Sequence, residues 1–409
     1  MSDGPRFRIA LYAGVYVWRD AVSNSLSTKV DALRRVVELG APIEITVFTQ
    51  ASDRADPSVR VVPSVAQLLA QEEFSSADLH IFEEGMYYDL FNSVFLIPPD
   101  RPILAIEHNT TPPNLVDVPA ARAGCERSLS QRHNLSQARH VACVSELNVE
   151  LARSVGVPED RLSVLHLPPA VVPSSVPAPM ATRSGPARIL YVGRFVRAKG
   201  IVDMLELVDR LADRGPSAVS VTLVGDPRFS DPELVRAVQA KVAQAPPGSL
   251  DVVLAPDDRV MATLYDRSDV LVIPSYHEGY CVPVVEAYGF GRFVVAYDAG
   301  NVPNVAGGLG RLVPTGDLGA LEAAVAGFVD AVALARTGGG LELPTTRGPM
   351  AEDQWRQAVR SHLEDYSAAN FERRFLTLVR QLAAESSRGV PPAMDEAISA
   401  RVGQLARVA

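Results

Sequence analysis

Two acids stand eight positions apart in the segment Pro-Ser-Tyr-His-Glu-Gly-Tyr-Cys-Val-Pro-Val-Val-Glu-Ala at 274–287. They are Glu278 and Glu286. Gly279 follows the first, and the second lies in an apolar, helix-like run. The apolar run Val270 to Ile273 leads into the segment, so the order reads strand, acid, glycine loop, helix, acid. A glycine lets backbone approach a ligand closely. Ionised carboxylates accept hydrogen bonds and donate none, so such a pair suits a ligand rich in hydroxyls.

Three other loops are expected to face the same ligand. Val192-Gly193-Arg194-Phe195-Val196-Arg197-Ala198-Lys199-Gly200 follows a strand and opens a helix. A helix start attracts anions through its free N–H groups. Arg194 and Lys199 either grip phosphate oxygens, the one as a fork and the other as a compact charge, or are surface charges on a helix start, whereas Arg197 reads as solvent-facing. The nucleotide-triphosphate loop and the dinucleotide fingerprint are both absent. Ala13-Gly14-Val15-Tyr16 reads as a loop after the first strand; Gly14 there serves either a ligand or a plain tight turn. His108, in Glu107-His108-Asn109-Thr110-Thr111-Pro112-Pro113, either touches a ligand or braces its own turn.

These loops need a scaffold. The β-α-β rhythm begins with strands at Arg8 to Tyr12 and Ile43 to Phe48, around a helix at Asn24 to Leu39 closed by Gly40. Strands at Leu79 to Phe82, Ile103 to Ile106 and Val141 to Val144 follow. Residues 168–187, rich in proline and serine, read as a linker. A second series has strands at Ile189 to Val192, Val219 to Val224, Val252 to Leu254, Val270 to Ile273 and Val294 to Tyr297. The expected fold is α/β, with two Rossmann-like, doubly wound domains facing across a cleft. Expected boundaries are 1–167, the linker 168–187, 188–345, and C-terminal helices at 346–409 that cross back to the first domain. A local insertion is expected at Gly338 to Pro349. Trp355 and Tyr366 read as core aromatics.

Bulk properties narrow the function. A chain of 409 residues with 47% hydrophobic and 21% charged residues reads as soluble and two-domain. A net charge of −9 gives no support to nucleic-acid binding. No run of 18 uninterrupted apolar residues appears, and the polar Met1 to Arg8 does not read as a signal peptide. Cys125, Cys143 and Cys281 are unpatterned, which suggests a reducing cytoplasm and no structural zinc. No metal site or cofactor is expected. The candidate loops contain no pair of acids spaced by one residue, as a bound divalent ion would suggest. Arg122, Arg127, Arg132 and Arg139 form a basic segment, read mainly as a solvated helix and otherwise as a contact for an anionic acceptor or a membrane surface.

Taken together, Val-Gly-Arg-x4-Lys-Gly at 192–200, Glu-x7-Glu at 278–286 and Ala-Gly-Asn-Val-Pro-Asn after the Val294 strand resemble the retaining glycosyltransferases of family four, which have the GT-B fold. The resemblance spans about residues 8–330. Asp20 to Asn24, His108 to Pro112 and Ser145 to Asn148 are similar to less diagnostic segments. Asn304 stands where a glutamate is frequent, and Tyr280 where phenylalanine is common. The resemblance implies a nucleotide-diphosphate sugar as donor, a hydroxyl acceptor (glycan, glycolipid or natural product), and metal-independent transfer with retention. It also implies roles at matching positions. Gly14, Gly193, Arg194 and Lys199 would hold the diphosphate, and Glu286 the ribose. Glu278 would bind the transferred sugar. Gly279, Tyr280, Cys281 and Val282 would offer backbone N–H groups, and His108 would face the reacting sugar. The expected catalytic set is Glu278, His108, Arg194 and Lys199. The implied location is cytoplasmic, with peripheral contact at the inner membrane face as a further expectation. The alternatives are another GT-B enzyme, an epimerase or phosphorylase, or a non-catalytic GT-B binding protein.

Overall fold

The computed structural model describes residues 6–18 and 20–407, which cluster into two compact units. The first unit opens with β1 (Phe7–Tyr16), α1 (Ala21–Glu38), β2 (Ile43–Ser52) and β3 (Val59–Val61). It continues through α2 (Val65–Leu69), α3 (Glu72–Ser75), β4 (Leu79–Glu84), β5 (Ile103–Glu107), α4 (Pro119–Gln131), β6 (His140–Cys143), α5 (Glu146–Ser154) and β7 (Leu162–Val164). The helix read from Asn24 starts earlier because the Asp20 carboxylate accepts the Ser23 N–H, an N-cap interaction that satisfies a free helix donor.

The seven strands are parallel in the order β3-β2-β1-β4-β5-β6-β7. Strand order reverses between β1 and β4, as in doubly wound sheets. Both faces are covered, so the central strands are buried along their length rather than at alternate residues, as every residue of β4 and β5 is. On one face Tyr12 stacks on Phe82, with ring centroids 4.1 Å apart, and on Phe48 at 5.4 Å.

The second unit comprises β8 (Ala187–Val192), α6 (Ile201–Leu211), β9 (Val219–Gly225), α7 (Pro232–Gln244), β10 (Leu250–Leu254), α8 (Asp258–Arg267), β11 (Val270–Ile273), α9 (Val282–Gly289), β12 (Phe293–Tyr297), α10 (Val302–Ala306), β13 (Arg311–Val313), α11 (Leu318–Arg336), β14 (Glu342–Thr345), β15 (Gly348–Ala351) and α12 (Glu352–Leu363). Its six-stranded parallel sheet runs β10-β9-β8-β11-β12-β13, with the reversal between β8 and β11. The segment read as an insertion at 338–349 contains most of the antiparallel β14–β15 hairpin.

α11 is long and apolar enough to cross a membrane by length and composition. Its buried Phe328 stacks on Phe293 of the sheet at 5.3 Å. Trp355 is also buried in this unit and donates its indole N–H to the Leu309 carbonyl at 2.8 Å.

The proline-rich segment after Pro168 clusters with the second unit. The Glu352 carboxylate accepts the N–H groups of Met180 and Ala181, and Arg356 donates to the Pro177 carbonyl. The chain ends in α13 (Ala368–Glu385) and α14 (Pro392–Leu405), which cluster with the first unit. There Glu372 pairs with Arg35 of α1 and Arg401 of α14.

Candidate functional site

Topology brings the two motif loops of the second unit together. β8 and β11 are neighbours at the point of strand reversal, and the loops at their carboxyl ends are 193–200 and 274–281. Such a switch point leaves a crevice outside the strand ends.

The two loops are locked to one another. Tyr276 N–H donates to the Ala198 carbonyl at 2.9 Å. Gly200 has φ +66°, and a Cβ there would lie 1.7 Å from the Pro274 carbonyl oxygen, so only glycine fits. Gly300, with φ +58°, does the same for the acid's own backbone: a Cβ would lie 2.3 Å from the Glu278 carbonyl oxygen. The next N–H, of Asn301, donates to that carbonyl at 2.8 Å. The Ala-Gly-Asn stretch thus braces Glu278.

Side chains complete the arrangement. Lys199 Nζ lies 2.8 Å from Glu278 Oε2, with both groups largely sheltered. Arg194 is exposed, and its guanidinium has no ion pair among the described residues. The buried Tyr191 hydroxyl lies 3.1 Å from the Arg194 carbonyl and 3.2 Å from that of Lys199, tying the two ends of the basic loop. Arg197 is exposed, as read from the sequence. Asp203, in the first turn of α6, accepts hydroxyls from Tyr276 at 2.9 Å and Tyr297 at 2.7 Å, a second link between α6 and the acid loop.

Gly279 and Tyr280 continue the loop, and Cys281 caps α9 with φ +70° before Val282 begins it. Burial, with Glu278 nearby, pushes the Cys281 thiol well up. Glu286 lies within α9 and is buried. Its Oε2 accepts the Tyr265 hydroxyl at 2.7 Å and its Oε1 the Val171 N–H at 3.3 Å. Burial pushes its carboxyl up to about 7, against the pull of these hydrogen bonds.

The remaining expected residues have other settings. Gly193 lies just past β8, where a Cβ would meet the Tyr191 hydroxyl at 3.0 Å. Gly14 is not in a loop: β1 runs on to Tyr16, and a Cβ on Gly14 would meet Tyr88 Cβ at 3.0 Å. His108, in the first unit, is sheltered, with Nε2 2.5 Å from Glu83 Oε2. Glu83 also pairs with the fully buried Lys29 at 3.0 Å. Burial alone would raise the Glu83 carboxyl, but Lys29 and His108 hold it below its ordinary value.

Sequence reading missed Lys29 and Glu83; the one available signal was a pair of acids, Glu83-Glu84, ending an apolar strand. The basic segment also differs from a fully solvated helix. Arg132 is buried and pairs with Glu107 at 3.3 Å, and Arg139 pairs with Glu385. Among the described residues no three His, Cys, Asp or Glu side chains gather as a metal-binding group.

Residues 186–330, which span both motif loops, match the family model described as glycosyl transferases group 1. A glycogen synthase of Mycobacterium tuberculosis is 27% identical over 202 residues, 48% of this chain and 46% of that protein, so the chain spans about half of that relative's length. D-inositol 3-phosphate glycosyltransferase of Streptomyces coelicolor is 27% identical over 352 residues, covering 70% of this chain and 76% of the relative. Among solved structures, sucrose-phosphate synthase from Thermosynechococcus elongatus superposes with a TM-score of 0.66 at 20% identity, over 93% of this chain and 100% of that one. Anabaena HepE in complex with UDP-glucose gives 0.63 at 14% identity, over 91% and 99%. These likenesses show the fold, the GT-B type that the motifs implied.

Proposed function

We propose, for a chain whose residues 186–330 match the glycosyl transferases group 1 model, an enzyme that moves a sugar from a nucleotide-diphosphate sugar to a hydroxyl acceptor. One observation supports this above the others: a lysine and a glutamate from loops on adjacent strands meet at the switch point, 2.8 Å apart, with an exposed arginine on the lysine's loop. Cleavage of a sugar–phosphate bond builds negative charge on the diphosphate and positive charge on the sugar ring. Preorganised charges of opposite sign at the two ends stabilise that separation.

In this reading Arg194 and Lys199 hold the diphosphate, with Gly193 leaving room for it. Glu278 accepts sugar hydroxyls and faces the developing positive charge. The backbone of Gly279 to Val282 approaches sugar and phosphate, and Glu286 takes the ribose. Gly14 and His108 keep the donor-contact roles implied by the resemblance. The bond from the anomeric carbon to the diphosphate oxygen breaks as the acceptor oxygen bonds to that carbon on the same face. The acceptor proton passes to the departing phosphate oxygen. The products are a nucleoside diphosphate and a glycoside of retained configuration. Arg194 and Lys199 supply the positive charge that a metal ion would otherwise bring.

The experiment is thermal denaturation of the whole chain with a panel of UDP-, ADP- and GDP-sugars. A ligand that binds only the folded state raises its stability. One donor should raise the melting temperature, and with acceptors supplied should release its nucleoside diphosphate with EDTA present. No shift with any donor would remove the reading. An inverted anomeric product would remove only the stereochemical part, and loss of turnover in EDTA only the metal-independent part.

A further inference from the structure

Glu286 is held by residues outside the motif that contains it. The Tyr265 hydroxyl of α8 donates to Oε2 at 2.7 Å. Tyr265 is fully buried, and its ring stacks on Phe290 at 5.5 Å, so the hydroxyl has little freedom. On the other oxygen, the Val171 N–H donates at 3.3 Å from the segment that enters the unit. No basic side chain pairs with Glu286 among the described residues. The titratable groups acting on it are Tyr265 and Asp258, both on α8, and Cys281 at the start of α9; the segment at 170–171 contributes backbone N–H groups. Asp258 carries the same sign of charge as Glu286. The ionised form of this buried carboxylate therefore rests on hydrogen bonds alone.

We propose that Tyr265 is a positioning residue for Glu286, holding its carboxylate ionised and oriented to accept the ribose hydroxyls of a nucleoside diphosphate. An ionised carboxylate has about four lone-pair sites. The tyrosine and the amide occupy one on each oxygen, which sets the plane of the group and leaves acceptor capacity for a hydroxyl ligand. A protonated Glu286 loses part of that capacity. This inference rests on the second unit being the donor-binding one.

The test uses Tyr265→Phe, which keeps the buried ring and deletes one hydroxyl, with UDP, ADP, GDP and their 2′-deoxy forms as probes. Affinity is measured by calorimetry from pH 6 to pH 9. The unaltered chain should bind one ribonucleotide more tightly than its deoxy form. Tyr265→Phe should weaken that ribonucleotide roughly tenfold near pH 7, the loss of one hydrogen bond to a charged group. Binding should recover as pH rises, and the ribose preference should shrink at pH 7. In a Glu286→Gln background the tyrosine change should have little further effect, because coupled residues are not additive. Equal weakening of both nucleotide forms at every pH, or no change at all, would overturn the positioning role. If the unaltered chain binds none of the diphosphates, the donor-site reading falls with it; if it binds and Tyr265→Phe is silent, only the positioning role falls.

Discussion

Lys199 and Glu278 form an ion pair, 2.8 Å from Nζ to Oε2, although they lie on different loops and the resemblance assigns them to opposite ends of a donor. Each shelters the other's charge. A donor would have to divide them, phosphate taking the lysine and sugar hydroxyls the glutamate. Lys199 is about one-fifth exposed (21%) and Glu278 half that (10%), so solvent screens part of the attraction. A double-mutant cycle with Lys199→Met and Glu278→Gln, read by urea denaturation of the unliganded chain, should give a coupling of about 1 kcal/mol. Strictly additive losses would show that the pair contributes nothing before the ligand arrives.

Arg194 differs from Lys199 in having no such partner among the described residues. Exposed and unpaired, it is available for phosphate without first breaking a contact. Arg194→Ala should leave the melting temperature almost unchanged, since exposed substitutions away from special features shift stability within about 0.5 kcal/mol. The same change should weaken nucleoside diphosphate binding by roughly 10- to 100-fold, the range for a hydrogen bond to a charged group. Binding of the plain nucleoside should barely move. Equal losses for both ligands in calorimetry would remove the phosphate role.

Much of this architecture was legible because helices and fully buried strands each leave a pattern, a 3.6-residue period in the one and a continuous apolar run in the other. The paired sheets, the helix before Gly40 and the motif loops after β8 and β11 all follow from runs long enough to show one. β3, β7 and β13 are three residues each, too short to carry a pattern, and they pair at or near sheet edges. Gly14 was misread as a loop glycine because a glycine inside an apolar run looks like its end, whereas β1 continues past it against Tyr88. In the candidate site, the motif residues could be read but their partners could not. Tyr265 and Val171 reach Glu286 across 21 and 115 positions, and Lys29 reaches Glu83 across 54. Those distances along the chain encode no spacing; the sheet order creates the contacts.

Left-handed positions should respond to substitution according to what surrounds them. Gly200→Ala adds a Cβ that would fall 1.7 Å from the Pro274 carbonyl oxygen, so either the β8 or the β11 loop must move. Gly40, also at positive φ (+98°), has nothing within 4 Å of such a Cβ. Gly40→Ala should therefore cost only the left-handed penalty of roughly 1–2 kcal/mol, and Gly200→Ala clearly more in the same denaturation experiment. Cys281 holds φ +70° without being glycine. Glycine is ordinarily about 0.5–1 kcal/mol worse than alanine inside regular structure. At 281 the order should reverse, with Cys281→Gly more stable than Cys281→Ala by about 1 kcal/mol. An alanine variant at least as stable as the glycine one would show that the loop relaxes its backbone at no cost.

Glu286 makes stability depend on pH in a definite direction. Burial raises its carboxyl to about 7 in the folded chain, against an ordinary 4.5. A folded value above the unfolded one means that the folded state binds the extra proton. The associated stability is complete below about 4.5 and is lost as pH rises through about 7. Glu286→Gln keeps the shape and removes the titration. The gap between the variant and the unaltered chain should therefore move in the variant's favour from pH 5 to pH 8. Its limit is on the order of 3 kcal/mol, at about 1.4 kcal/mol per tenfold change in proton affinity. Denaturant midpoints measured across that range check it, and parallel curves would mean that Glu286 is ionised at pH 5 already. Ligand binding should run the other way: a carboxylate that accepts ribose hydroxyls is needed ionised, so nucleoside diphosphate affinity should climb through pH 7 as the apo chain loses stability. The terminal phosphate also ionises near this range, so the contribution of Glu286 is the part of the climb that Glu286→Gln abolishes; a purely structural acid would leave the two chains with the same binding profile.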